Sequence, residues 1–217
     1  MQCSSDFVRL RTRLAELRIN MLPHQFSATG GNYSDQDLDR ARGYRLLAHA
    51  ELEFYLESVV RNVITNAVKA WKTNNQPSNI IIAFLAAYHS AWNNDDLASN
   101  EDIIKLAKNR KNAKDSISEV IDLAQKQFIK ILKDNHGIKE KNLKSLILPT
   151  GIDISTLDST WITDLDTFGS LRGTVAHNTK SLSSEINPRD EFINVEKLLH
   201  GIYLIDFLIM DINKNFN

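Results

Sequence analysis

The chain has 217 residues, of which 42% are aliphatic or aromatic, so it can bury a sizeable core and is not a wholly disordered chain. Only 8 Gly and 4 Pro are present, too few turn residues for a many-stranded sandwich or barrel. The net charge is −1, which excludes a global basic field, so any site for a polyanion must be local.

Residues 1–33 are predicted to form one helix and a loop. Ser4 and Ser5 are good helix caps, and the helix that follows carries an apolar stripe made of Phe7, Leu10, Leu14 and Leu17. Three arginines interrupt this stretch, so no signal peptide is predicted. Cys3 is the only cysteine, which excludes an internal disulfide and a cysteine-based zinc site.

Residues 34–217 are predicted to form the core bundle of the same single domain. Ser34 and Asp37 have the spacing of a capping box, and a long helix should follow to about residue 71. The predicted apolar stripe of this helix consists of Leu52, Leu56, Val59, Val63 and Ala67. Pro77 and Ser78 precede a short apolar helix over residues 79–92. Its apolar run at 80–88 is much shorter than the ~20 residues that span a bilayer. We therefore expect a cytoplasmic protein with no membrane partner.

Four further helices are predicted, over residues 101–134, 139–148 and 159–175 and from Pro188 onwards. The sequence thus predicts an all-α bundle of about six to seven helices. The first part of the 101–134 helix is basic, and the stretch 105–114 contains no acidic residue. Its five cations are Lys105, Lys108, Arg110, Lys111 and Lys114. This basic run is either a solvated helix face or a contact with an RNA backbone.

No metal or cofactor site is predicted. The sequence has neither a phosphate-cradling glycine loop nor a His-Glu-x-x-His motif. Glu196 and His200 share a helical face, but a di-iron bundle needs further ligands of this kind on other helices. We interpret the two residues as a surface pair.

One string near the C-terminus combines an arginine with a histidine. Arg172 and His177 are five residues apart, which on a straight helix corresponds to a turn of ~140° and an advance of ~7.5 Å. A joint role therefore requires a bend, a helix end between them or a second copy of the chain. The alternative is structural: both cations lie in the last turn of a helix, where the dipole favours them, and Asn178 follows its end.

The motif and its context resemble the HEPN superfamily of small all-α bundles. In that superfamily an Arg-x(4–6)-His motif near the C-terminal end marks the ribonuclease members. The stretch from Tyr44 to Glu57 resembles the apolar helix with a central Glu found in the prokaryotic toxin and defence branch, including the RiboL-PSP type, and Glu53 aligns with that Glu. The resemblance covers about residues 35–215. Gly173 departs from it, because many active members carry Asn, Asp or His at that position.

The resemblance implies a metal-independent endoribonuclease, a toxin or phage-defence effector, with no cofactor. Arg172 and His177 would be its catalytic residues, Glu53 would hold Arg172, and Asn178 would support the site. The implied partners are an RNA substrate, a second copy of the chain in a homodimer, and an antitoxin or other inhibitory protein. Two alternatives stay open, a HEPN-like module that binds RNA, nucleotide or protein without cleaving, and an unrelated helical scaffold. Glu53 could equally be a solvent-facing residue of a long helix.

Overall fold

A computed structural model describes residues 3–27, 31, 33–75, 77–92, 113–177 and 186–214. For some residues in these ranges the structure describes the backbone but not the side chain, namely residues 89–92, 113–116, 173–177 and 214. The described ranges contain seven α-helices and no strand, so the predicted all-α bundle is confirmed. The helices are α1 (Ser5–Met21), α2 (Asp35–Asn74), α3 (Asn79–Trp92), α4 (Ala113–Asp134), α5 (Glu140–Ile147), α6 (Ser159–His177) and α7 (Pro188–Lys214).

The predicted helix starts are confirmed where local side chains cap them. Ser4 Oγ accepts a 3.0 Å hydrogen bond from the Phe7 amide at the start of α1. Ser34 and Asp37 form a capping box at the start of α2. Pro188 is the first residue of α7. The helix predicted from residue 101 is described from Ala113, and the segment 101–112 lies outside the described residues.

The long helix α2 forms the centre of the bundle and contacts α1, α3, α6 and α7. Its predicted apolar stripe is buried, since none of its members exposes more than 4% of its surface: Leu52, Leu56, Val59, Val63 and Ala67. Burying such a stripe stabilises the bundle through the hydrophobic effect. Two 3-10 turns, Leu148–Thr150 and Ile154–Thr156, connect α5 to α6. Among the helices that the structure describes, none is long and apolar enough to cross a membrane.

Buried polar contacts connect α1 and α2 to α7. Arg45 forms a two-bond ion pair with Glu191, with Nε 2.7 Å from Oε2 and Nη2 2.5 Å from Oε1. Tyr55 donates a 2.8 Å hydrogen bond to Asp206, which also accepts from the Ser4 amide at 2.9 Å. Both buried carboxylates are therefore satisfied, which offsets the cost of removing their charge from water.

Helices α6 and α7 approach closely at one glycine. The indole Nε1 of Trp161 donates a 3.1 Å hydrogen bond to the Leu198 carbonyl, which places the ring over the following turn of α7. A Cβ atom at Gly201 would lie 2.1 Å from Trp161 Cε2, so only glycine fits beneath the ring. This contact fixes the start of α6, the helix that carries Arg172.

Candidate functional site

Arg172 lies on α6 and is held by a neutral acceptor. Its Nη1 donates a 3.3 Å hydrogen bond to the backbone carbonyl of His136, in the connection between α4 and α5. No carboxylate forms an ion pair with it within the part of the chain that the structure describes. The other N–H groups of the guanidinium have no hydrogen-bond partner among the described residues, and a guanidinium can bind a ligand through several of them at once.

The connection between α4 and α5, residues 135–139, runs along one face of α6. The carboxylate of Asp166 accepts a 2.5 Å hydrogen bond from the Glu140 amide, one turn before Gly169 on α6. A Cβ atom at Gly169 would lie 2.9 Å from Lys139 Cγ, so the absence of a side chain there lets the connection approach closely. These contacts, together with that of Arg172, anchor the connection at three successive turns of α6.

A polar cluster holds the other side of the connection against α2. Its centre is Asn135, which is only 8% exposed. The Asn135 amide nitrogen donates to Glu57 Oε1 at 2.7 Å and approaches Glu53 Oε1 at 3.5 Å, and its oxygen accepts from Asn142 at 2.8 Å. His49 completes the polar cluster, with Nδ1 3.4 Å from Glu53 Oε2 and its ring stacked on Phe168. The neighbours Asn135 and His136 thus connect two carboxylates of α2 to Arg172 of α6.

The described residues contain no group of three or more His, Cys, Asp or Glu side chains that could hold a metal ion. A protein-family model, RiboL-PSP-HEPN, matches residues 9–210. The chain belongs to the RiboL-PSP-HEPN family. No curated protein and no solved structure gives a significant match. The match includes all of α2 and α6, so Glu53 and the Arg-x4-His string lie inside a HEPN-type domain, a kind of module generally related to ribonucleases.

The expected direct contact between Glu53 and Arg172 is not formed within one chain of this family member. Glu53 contacts His49 and Asn135 instead, and Arg172 contacts the carbonyl of His136. The physical reason is that the connection after α4 supplies the nearest partners of both residues. The alternative of a solvent-facing Glu53 does not hold either, because its side chain is only 15% exposed.

His177 is the last residue of α6, and its side chain lies outside the described residues. Helix α6 continues from Ser159 to His177, so no helix end lies between Arg172 and His177. Asn178 lies outside the described residues, and so does the basic run as far as residue 112. Lys114 is placed in the first turn of α4, without a described side chain.

Three residues of this site were not singled out by sequence reasoning. The sequence places the end of the predicted 101–134 helix near His136 and gives Asn135 and Glu57 no role. One signal was available, since Glu53 and Glu57 are four apart in the stretch 44–60, whose other residues are largely apolar. Two carboxylates on one face of a central helix need polar partners when they are buried. Identifying Asn135 as that partner required the tertiary structure.

Proposed function

We propose that this RiboL-PSP-HEPN domain is a metal-independent endoribonuclease. The observation that carries the proposal is the state of Arg172, which is fixed by a backbone carbonyl but has no carboxylate partner among the described residues. A planar guanidinium in that state suits two phosphoryl oxygens, which it can bind with parallel hydrogen bonds. The same contacts strengthen as negative charge develops on the phosphate in the transition state.

The reaction that fits an arginine and a histidine without a metal is attack of an RNA 2′-hydroxyl on the adjacent phosphate. The 2′-oxygen loses its proton and bonds to phosphorus, the bond from phosphorus to the 5′-oxygen breaks, and that oxygen takes up a proton. The products are a 2′,3′-cyclic phosphate and a 5′-hydroxyl. His177 is proposed to transfer a proton, which is worth ~10²–10⁴-fold in rate. Asn178 is proposed to have a supporting role in the reaction.

The active unit is proposed to be a homodimer. On the uninterrupted helix α6, positions 172 and 177 are separated by ~140° around the axis and ~7.5 Å along it. One phosphate therefore cannot easily meet both residues of a single chain. We propose that Arg172 of one protomer acts with the partner subunit's His177, in a cleft between the two copies.

The biological role that follows is that of a toxin or phage-defence effector in the cytoplasm. An enzyme that cuts RNA in its own cell needs a restraint, so an antitoxin or other inhibitory protein is the proposed partner. The basic run from Lys105 to Lys114 would bind the RNA backbone outside the cleavage site.

The decisive experiment incubates the purified protein with a mixture of tRNA and rRNA in EDTA and analyses the ends of the products. We expect shortened RNA ending in a cyclic phosphate, and no cleavage of DNA of the same sequence, which lacks the 2′-hydroxyl. The His177→Ala variant should bind RNA without cutting it, whereas Arg172→Ala should lose cleavage and also bind more weakly. Arg172→Lys should remain poor, because a point charge cannot reproduce the fork.

Mixing the two alanine variants tests the dimer. If the cleavage site combines residues of both copies, a mixed dimer contains one complete site, and activity should return on mixing. If each site lies within one chain, mixing restores nothing. RNA that is bound but never shortened by the wild-type protein would instead favour the non-catalytic HEPN-like module.

A further inference from the structure

An exposed histidine lies directly beside Arg172. The backbone carbonyl of His136 accepts the hydrogen bond from Arg172 Nη1, and the imidazole branches from the Cα atom next to that carbonyl. The side chain of His136 is exposed and forms no hydrogen bond or ion pair with any residue that the structure describes. Its imidazole therefore makes no polar contact with the described residues that would stabilise the fold.

We propose that His136 is a second catalytic histidine of the site, which transfers one of the two protons of the cleavage reaction. This assignment rests on the proposed ribonuclease function. The reaction moves one proton away from the 2′-oxygen and another onto the 5′-oxygen. In an in-line displacement the two oxygens lie on opposite sides of the phosphorus, so one imidazole cannot reach both at once. Histidine is the side chain whose ordinary pKa suits both transfers near neutral pH.

Four carboxylates near the connection are occupied by structural contacts. Asp166 accepts from the Glu140 amide, and Glu140 forms an ion pair with Lys144 at 2.5 Å. Glu53 and Glu57 contact the Asn135 amide on the far side of the connection. A guanidinium is not deprotonated in proteins, which leaves contact with the phosphate as the role of Arg172. Among the described residues beside Arg172, His136 is thus an exposed histidine, and histidine is the side chain that exchanges a proton near neutral pH.

The backbone at His136 is held firmly enough to position a catalytic group. The preceding residue, Asn135, is fixed by the polar cluster, and the two residues that follow, Gly137 and Ile138, are buried. Lys139 then packs against Gly169 of α6. A fixed backbone restricts the positions that the side chain can occupy, and such pre-organisation favours catalysis. The scissile phosphate would lie between Arg172 and His136, and the partner subunit's His177 would transfer the other proton.

The test uses the full chain, a short RNA substrate and EDTA, with His136→Ala and His136→Gln as variants. The matched controls are His200→Ala and His24→Ala, which remove exposed imidazoles elsewhere. We expect kcat to fall by ~10²–10⁴-fold in both His136 variants, with little change in KM or melting temperature. The bell-shaped pH profile of the wild type should lose one limb. Added free imidazole should restore part of the rate of His136→Ala, and the controls should match the wild type.

Two results would overturn the assignment while leaving the ribonuclease in place. The first is a His136→Ala variant that cuts within twofold of the wild-type rate with both limbs of its pH profile intact. The second is a slow variant that keeps both limbs and gains nothing from imidazole, since that pattern indicates a structural effect. A wild-type protein that cuts no RNA would refute the ribonuclease itself, and the role of His136 with it.

Discussion

Removing the side-chain amide of Asn135 should weaken the fold and the cleavage reaction together. The Asn135→Ala variant loses the 2.7 Å hydrogen bond to Glu57 and the 2.8 Å hydrogen bond from Asn142. A hydrogen bond to a charged group contributes about 1.5–3 kcal/mol and a neutral one about 1 kcal/mol. The expected loss is therefore about 2.5–4 kcal/mol of unfolding free energy, a large share of the ~5–15 kcal/mol of a typical domain.

The effect on the reaction follows from the position of Asn135 next to His136. Without the amide, the connection between α4 and α5 loses its contacts with α2, and the carbonyl that holds Arg172 is free to shift. A displacement of about 1 Å at a catalytic group costs ~10²-fold in rate, so kcat should fall by that order. Cleavage should be measured at a temperature where urea titration shows the variant to be fully folded.

Asn142→Ala is the matched control, because it removes only the neutral hydrogen bond to Asn135. It should cost about 1 kcal/mol and leave most of the cleavage rate. The reasoning would be refuted if Asn135→Ala were no less stable than Asn142→Ala, or if the folded Asn135→Ala variant cut RNA at the wild-type rate.

Three further outcomes are expected. Tyr55→Phe should destabilise the protein by about 1.5–3 kcal/mol in urea titration, because it removes a hydrogen bond to the carboxylate of Asp206. Tyr88→Phe should be neutral or stabilising, because the buried hydroxyl of Tyr88 has no partner among the described residues. Burial raises the pKa of Tyr88 to about 12. The free energy of unfolding should therefore fall as the pH rises from ~10 towards 12, and Tyr88→Phe should abolish the contribution of this residue to that fall. Reversing the charges of Lys105, Lys108 and Arg110 in the basic run should weaken RNA binding and flatten the dependence of RNA affinity on salt concentration. An unchanged salt dependence would indicate that the run is a solvated helix face.

The features that sequence predicted well are those set by residues close together in the chain. The caps at Ser4 and Ser34 depend on a partner three residues away, and the apolar stripe of α2 depends on helical periodicity. Sequence patterns predicted only some of the residues of the candidate site. Arg172 is marked by its motif, but its acceptor at His136 is 36 residues earlier in the chain, and Asn135 is 78 residues from Glu57. Pattern and spacing carry no information about such pairs.

The acceptor that holds Arg172 has a consequence for binding. The sequence predicted a carboxylate, Glu53, as its partner, and a carboxylate at about 4 Å attracts a guanidinium by about 4 kcal/mol at an effective dielectric constant of 20. A phosphate would have to compete with that attraction. A backbone carbonyl fixes the position of Arg172, which has no carboxylate partner in the described parts of the chain. Glu53 and Glu57 are at the same time occupied by the Asn135 amide. Among the described residues, the connection between α4 and α5 therefore occupies two acidic side chains of α2 and holds the cation of α6 through a neutral carbonyl, an arrangement that would favour binding of the proposed RNA substrate.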